Sequence, residues 1–220
     1  VLPVALLGLV SYTVSRDELQ RTVGRMQTQA AEDLALFAER TVTASLESLN
    51  LSTSALLPLD DFAWSELTQI LRIPYRQLQS VSIIALVNDR KVPVAGPVFE
   101  RRPEQDPALA GRMAVTDADL DLFSTKIPAP PAAAGQTAMS APYRSEHGPL
   151  RVAVALRVAP DRAIVAEIGL SDVEARLAEL SSGKGVAYLV DGRGGLLAHG
   201  RRDEALAADE RTLSEVGFGK

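Results

Sequence analysis

Leu150-Arg151-Val152-Ala153-Val154-Ala155-Leu156-Arg157-Val158, the turn Ala159-Pro160-Asp161-Arg162, then Ala163-Ile164-Val165-Ala166-Glu167-Ile168-Gly169 reads as two antiparallel strands. In the first, Val152, Val154, Leu156 and Val158 take one side, and Arg151, Ala153, Ala155 and Arg157 the other. That is the period of two imposed by a pleated strand. Ile164, Ala166 and Ile168 continue the apolar side, with Val165, Glu167 and Gly169 opposite. A five-residue turn closing Val158 on Ile164 puts the apolar sets together and places Arg157 and Glu167 on the same small-residue face.

Upstream, Thr137–Tyr143 is a further strand, after the loop Ile127-Pro128-Ala129-Pro130-Pro131-Ala132-Ala133-Ala134-Gly135. Val81–Val87 and Val92–Phe99 form a hairpin around Asn88-Asp89-Arg90-Lys91, where Asn and Asp suit a tight turn. A short helix from Trp64 to Leu71 or slightly beyond precedes it, and Asp117–Phe123 is helical. The sum from Trp64 to Gly169 is an α+β unit: a five-stranded antiparallel sheet with helices inserted after its second strand. Ser171 and Glu174 stand in capping-box spacing at the start of a helix, Ser171–Leu180. Ser181-Ser182-Gly183-Lys184-Gly185 then breaks to Ala187-Tyr188-Leu189-Val190-Asp191-Gly192-Arg193-Gly194-Gly195-Leu196-Leu197-Ala198, which repeats the first hairpin's pattern. A helix-then-hairpin unit thus occurs twice, pointing to tandem units. The second has no room for its last three strands, and a polar, helical tail follows Gly200.

At the other end, Val1–Val14 carries no charge, and Arg16 follows. A clipped transmembrane helix, the tail of a signal peptide and a buried core helix all fit so short a run. The clipped span is favoured, because no Ala-x-Ala cleavage site follows and a polar helix begins at once, so the chain is expected to be a piece of a longer protein. From Ser15 to Leu57 there is no proline. Leu19, Val23, Met26, Ala30, Leu34 and Phe37, then Val42, Leu46, Leu49, Thr53 and Leu56 make one stripe. The stripe serves burial on the chain's own sheet, a parallel dimer seam, or each in one half. The spacing of Ser15 and Glu18 could cap a fresh helix, but in a continuous one the match is accidental. Pro58 ends the helix.

With 220 residues the chain can bury one large core or two small ones. A net charge of −5 argues against a nucleic-acid partner, and Arg101-Arg102 and Arg201-Arg202 are isolated basic pairs with acids beside them. Having no cysteine removes disulfides, thiol catalysis and cysteine metal sites. His147 and His199 are too far apart in sequence to suggest a metal pair, and surface histidines fit both. Gly192-Arg193-Gly194-Gly195 lacks the lysine and serine of a phosphate loop and lies between strands, so it reads as a turn. Asp117, Asp119 and Asp121 alternate like a calcium loop but lack its glycine and final glutamate, which leaves a solvated helix start. No nucleophile–base pair is visible, so no catalytic residue, metal site or cofactor is assigned.

In this order the pattern resembles the double Cache family, the tandem extracytoplasmic PAS-like sensor domains of bacterial transmembrane receptors. The run Val186–His199 is close to the family's valine-aspartate, glycine-turn, leucine-alanine-histidine hairpin, and Ile164–Gly169 with Leu170-Ser171-Asp172-Val173 resembles its closing strand and exit helix. The resemblance implies a membrane helix end at 1–14, a stalk helix at 15–57, a membrane-distal unit at 58–170, a linker helix at 171–182 and an incomplete proximal unit at 183–220. It also implies a homodimer held in the inner membrane by its N-terminal helix, with this domain periplasmic, sensing a small molecule and performing no catalysis. The output, such as a histidine kinase, would lie outside the chain. One subfamily binds amino acids through a Tyr/Arg/Trp-Tyr cluster before the third strand and an acid on the closing strand. Glu167 stands about where that acid would be, but 116–136 contains no Tyr, Trp or Arg, so amino acids are not the expected ligand.

The best binding candidate is the small-residue face: Tyr143 as an aromatic wall, Arg157 for a carboxylate and Glu167 for an amine or hydroxyl. A structural ion pair between Arg157 and Glu167, or one of them simply solvated, is the plainer reading. The alternative function is a ligand-free dimerisation module with the sheet as a partner surface. A sheet face filled by its own side chains would favour it.

Overall fold

The computed structural model describes residues 2–54, 62–105, 109, 112, 114–144, 148–181, 187–190 and 196–200, with side chains from residue 21 onward except at 54, 196, 197 and 199. The helix end at Pro58, the turns holding His147 and Gly192–Gly195, the Gly183–Gly185 break, Arg201-Arg202 and the tail lie outside these residues. The chain divides into two units, Val1–Glu39 and Arg40–Lys220.

Helix α1 (Leu2–Ser54) starts in the first unit and ends in the second. It passes through Ser15 without a break, so the capping-box match there is accidental. No described helix is long and apolar enough to cross a membrane. In the first unit Val23, Met26 and Phe37 of the stripe are exposed, while Leu34 is buried. In the second, Leu49 and Thr53 are buried, and Ser45 and Ser52 make hydrogen bonds to Ser80 and Gln77.

The second unit is built on a sheet of six strands, one more than the sequence suggests. The strands are β1 (Val81–Asn88), β2 (Pro93–Phe99), β3 (Thr137–Met139), β4 (Tyr143–Arg144), β5 (Leu150–Ala159) and β6 (Arg162–Gly169). Their order is β2-β1-β6-β5-β3, with β4 also pairing β5, and every described pairing in it is antiparallel. The strand foreseen over 137–143 splits because Pro142 has no N–H for the ladder.

Helix α2 (Trp64–Gln77) runs past Leu71 and through Pro74, then packs along β1 and β2. Its ladder continues through the Leu78 N–H to the Pro74 carbonyl, and the buried Arg112 caps its end by donating to the carbonyls of Tyr75 and Arg76. The same guanidinium lies 4.4 Å from the Tyr75 ring centroid and donates to the Val81 carbonyl. Burial lowers its pKa, and its described partners are carbonyls at the negative end of the helix and on β1, with an aromatic face beside them.

Helix α3 (Asp117–Lys126) begins at a capping box in which the Thr116 Oγ1 accepts from the Asp119 N–H and the Asp119 carboxylate accepts from the Thr116 N–H. Helix α4 (Ser171–Leu180) is present as foreseen, but its capping box is not. Glu174 instead accepts the Leu150 N–H and pairs with Arg144. The second hairpin forms as β7 (Tyr188–Val190) with β8 (Leu196–His199).

Both faces of the sheet are buried at its centre. On one lie Ile84, Leu86, Val152, Val154, Leu156, Ile164 and Ile168. The other, the inner face, carries Ile83, Ala85, Val87, Ala153, Ala155, Ala163 and Val165, with Val115, Phe123 and Ile127 packed in the same cluster. Alanine on the middle strands gives the larger residues of α3 room to sit.

Candidate functional site

The β5–β6 turn is tighter than the sequence suggests. Pro160 and Asp161 alone form it, with an irregularity between Arg157 and Ala159. Leu156, not Val158, therefore faces Ile164, a shift of two residues that leaves every side chain on its assigned face. It separates the two charged candidates, however. Arg157 now faces Ala163, and Glu167 faces Ala153, four residues along β5. At about 3.4 Å per residue that is roughly 13 Å.

Glu167 is fully buried on the inner face. Its Oε1 accepts from the Tyr143 hydroxyl at 2.8 Å, and its Oε2 from Arg151 Nη1 at 3.1 Å and from Ser82 Oγ. Ser82 reaches it from the irregularity in β1 between Val81 and Ile83. The same Arg151 nitrogen lies 3.0 Å from Asp119 Oδ1, and Asp119 Oδ2 accepts from Thr116 Oγ1 at 2.7 Å. One buried guanidinium thus joins two buried carboxylates, one on β6 and one in the first turn of α3. Burial, then the charge of Glu167, drives the Tyr143 pKa far above its ordinary value, so the phenol stays protonated and acts as a donor.

Tyr143 and Glu167 are therefore brought together, and Arg157 is not with them. Its Nε donates to the Pro131 carbonyl at 2.6 Å, and its Nη1 meets the Pro160 carbonyl at 3.0 Å and Asp89 Oδ1 at 2.6 Å. Lys91 acts similarly nearby, donating to the Ile127 carbonyl at 2.6 Å. The proline-rich 127–131 stretch offers carbonyls but few N–H groups, and these two cations satisfy them.

Arg151, Asp119, Ser82 and Thr116 join the cluster without being site candidates in the sequence. Arg151 stands on the small-residue face in the sequence, but the tight turn that sets it diagonally across from Glu167 is not legible there, and Asp119, read as part of a solvated helix start, is buried. Nor does the acidic trio form one group. Asp117 pairs with the exposed Arg101, while Asp119 turns inward to Arg151.

Chemically, the cluster offers a carboxylate with a phenol donor, a guanidinium and a serine hydroxyl, all set in an apolar face. These groups hold one another in a fixed hydrogen-bonded geometry.

The antiparallel sheet, with α2 leading into its β1–β2 hairpin and α3 laid on its inner face, is an α+β fold. Among solved structures the chain is similar to the ligand-binding domain of the Pseudomonas aeruginosa PAO1 amino-acid chemoreceptor PctC, solved in complex with GABA. The TM-score is 0.50 at 17% identity, covering 89% of this chain and 80% of that one. The likeness is one of fold. No protein-family model matches the chain. A search of the curated proteins finds no relative.

Proposed function

We propose that this chain is the extracytoplasmic ligand-sensing module of a membrane-bound bacterial signal-transduction receptor, of the double Cache type, with the inner face around Glu167 as its small-molecule site. The observation that carries the reading is the buried Glu167–Arg151–Asp119 cluster. Charges are costly to bury, and an apolar core of the same volume would serve stability at least as well. A desolvated Tyr143 beside specific charge partners on an inner sheet face is a feature that functional sites share.

A ligand engages the cluster by exchange. An amine or hydroxyl takes the place of the Tyr143 or Ser82 donor on Glu167, and an acidic group takes the place of a carboxylate on Arg151. Arg157 has its donors engaged by Pro131, Pro160 and Asp89 and stays outside this set. The exposed Val23, Met26 and Phe37 of α1 pair with a second copy, and the apolar N-terminal run anchors the dimer in the inner membrane. The output domain, a histidine kinase or similar, lies outside this chain, and the segment itself performs no catalysis.

Thermal-shift screening against small metabolites, GABA and other amino acids included, tests the site, with wild type beside Glu167→Gln and Tyr143→Phe. A compound that raises the melting temperature of wild type and loses that effect in Glu167→Gln supports it. An equal shift in all three proteins removes the cluster from the site.

One observation favours the second reading, a ligand-free dimerisation module. Val115, Phe123 and Ile127 already pack on the inner face, and both Glu167 oxygens have protein donors. A screen in which no compound shifts wild type, while the chain remains a dimer in solution, is its signature.

A further inference from the structure

We propose that the two-residue strand β4 couples the Glu167 cluster to the exit helix α4, and through α4 to the β7–β8 hairpin. The purpose of this coupling rests on the sensing reading above, but the coupling itself is a property of the unliganded chain.

Successive side chains of a strand point to opposite faces, and β4 uses both. Tyr143 lies opposite Arg151 on β5 and turns inward to Glu167. Arg144 lies opposite Leu150 and turns outward to Glu174 in the first turn of α4. This ion pair is largely shielded, with side chains 24% and 23% exposed. The other Glu174 oxygen accepts the Leu150 N–H at 3.1 Å, and the Leu170 N–H donates to the Leu150 carbonyl at 2.8 Å. The start of α4 is thus tied to the first residue of β5 and, through Arg144, to β4. Glu174 sits where a capping partner for Ser171 would be and is used for this tie instead.

The far end of α4 carries the hairpin. The Ala187 N–H donates to Ser181 Oγ at 2.8 Å, and the Gly200 N–H to the Ala187 carbonyl at 2.8 Å. A Cβ on Gly200 would stand 1.8 Å from Ser181 Oγ and 2.6 Å from the Leu177 carbonyl oxygen, so glycine permits direct docking of backbone on the helix end. Between the two ends, a ten-residue helix is a rod of about 15 Å.

β4 is suited to move. Two residues supply few ladder bonds, and Pro142 just before them supplies no N–H, so the side chains on either face govern where the strand sits. A change of partner at Glu167 shifts Tyr143, and the same displacement reaches Glu174 through Arg144. This is a local element biased from both sides, which a claim of coupling between distant groups requires.

A double-mutant cycle on the unliganded chain tests it, read by NMR amide exchange at Ala187 and Gly200, with Ala85 and Val165 in the central strands reporting global opening. Tyr143→Phe keeps the ring and removes the bond to Glu167; Arg144→Gln removes the tie to Glu174. The expected result is that Tyr143→Phe alone speeds exchange at Ala187 and Gly200 relative to the central strands. In the Arg144→Gln background this effect shrinks by roughly threefold or more. An equal effect of Tyr143→Phe in both backgrounds, or none at the hairpin in either, overturns the coupling. Neither outcome touches the ligand screen, so the coupling and the sensing reading fail separately.

Discussion

Arg151 and Arg157 stand six residues apart on β5, both on its inner face, both nearly inaccessible, yet they do different work. Arg151 sits between Asp119 and Glu167, whose side chains are 8% and 0% exposed, so one cation serves two acids away from water. Arg157 meets Asp89, 57% exposed, and spends its other donors on proline-segment carbonyls. At the first end of the sheet, opposite charges meet inside the protein. At the second, a cation is used as a multi-pronged hydrogen-bond donor that clips together the β1–β2 turn, the β5–β6 turn and the 131 segment. The difference shows that a charged residue on a core face is defined by how wet its partners are, more than by its own burial.

The largest expected effect is Arg151→Met. It leaves Asp119 and Glu167 buried with no cation between them, which costs about 3–5 kcal/mol. Arg157→Met loses charge-assisted bonds to groups that water can partly replace, and costs about 2 kcal/mol. Urea unfolding of the two variants measures both. Adding Asp119→Asn and Glu167→Gln to Arg151→Met restores part of the loss, because the isolated negative charges go. Equal costs for the two arginines, or no recovery on neutralising the acids, would break the distinction.

Why the sequence points to Arg157 rather than Arg151 as the neighbour of Glu167 follows from the turn between β5 and β6. Alternation in Val152–Leu156 and Ile164–Ile168 assigns each side chain to its face, because face depends only on parity. Register depends on turn length, and Pro160-Asp161 closes with the extra residue near Val158 absorbed as an irregularity. A two-residue slip preserves parity, so the fold reading survives while the pairing Arg157–Glu167 does not. The split of the third strand had a visible cause in Pro142. Pro74 inside α2 did not, since what sustains that helix end is Arg112, brought from across a loop. Asp119 illustrates the same limit: its cap spacing to Thr116 is local, but its burial against Arg151 is a tertiary fact. For the site, Tyr143 as an aromatic wall and Glu167 as an acid on the small-residue face are readable, and the cation joining Glu167 to Asp119 requires the register.

Tyr143→Phe sharpens the contrast through pH. At neutral pH it removes one donor from Glu167 and costs about 1–2 kcal/mol. The folded-state pKa of Tyr143 lies above its ordinary value of 10.0, chiefly because of burial. Above pH 10 the unfolded chain therefore releases a proton that the folded chain keeps, and stability falls as pH rises, by at most about 1.4 kcal/mol per pH unit from this group. The advantage of wild type over Tyr143→Phe is full below pH 10 and shrinks above it. Tyr75, also raised by burial, contributes to both proteins and cancels in the difference. Denaturant midpoints of both proteins from pH 8 to 11 (roughly the range in which a free tyrosine titrates) give the comparison, and a constant gap would mean that Tyr143 does not keep its proton for Glu167.

The smallest effect belongs to the exposed partner at the other end. Asp89→Asn keeps a hydrogen-bond acceptor for Arg157 and removes only a charge that water already screens, so it costs less than about 1 kcal/mol. In 1 M salt, where the screening length is about 3 Å, even that difference disappears. The cost of Arg151→Met persists at the same salt concentration, since ions do not reach its two acids. Unfolding both variants at low and high salt sets the two ends of β5 side by side. A salt-insensitive Asp89→Asn would place the Arg157 pair in the same dry environment as Arg151, and the clip would then have to be read as a second buried charge centre.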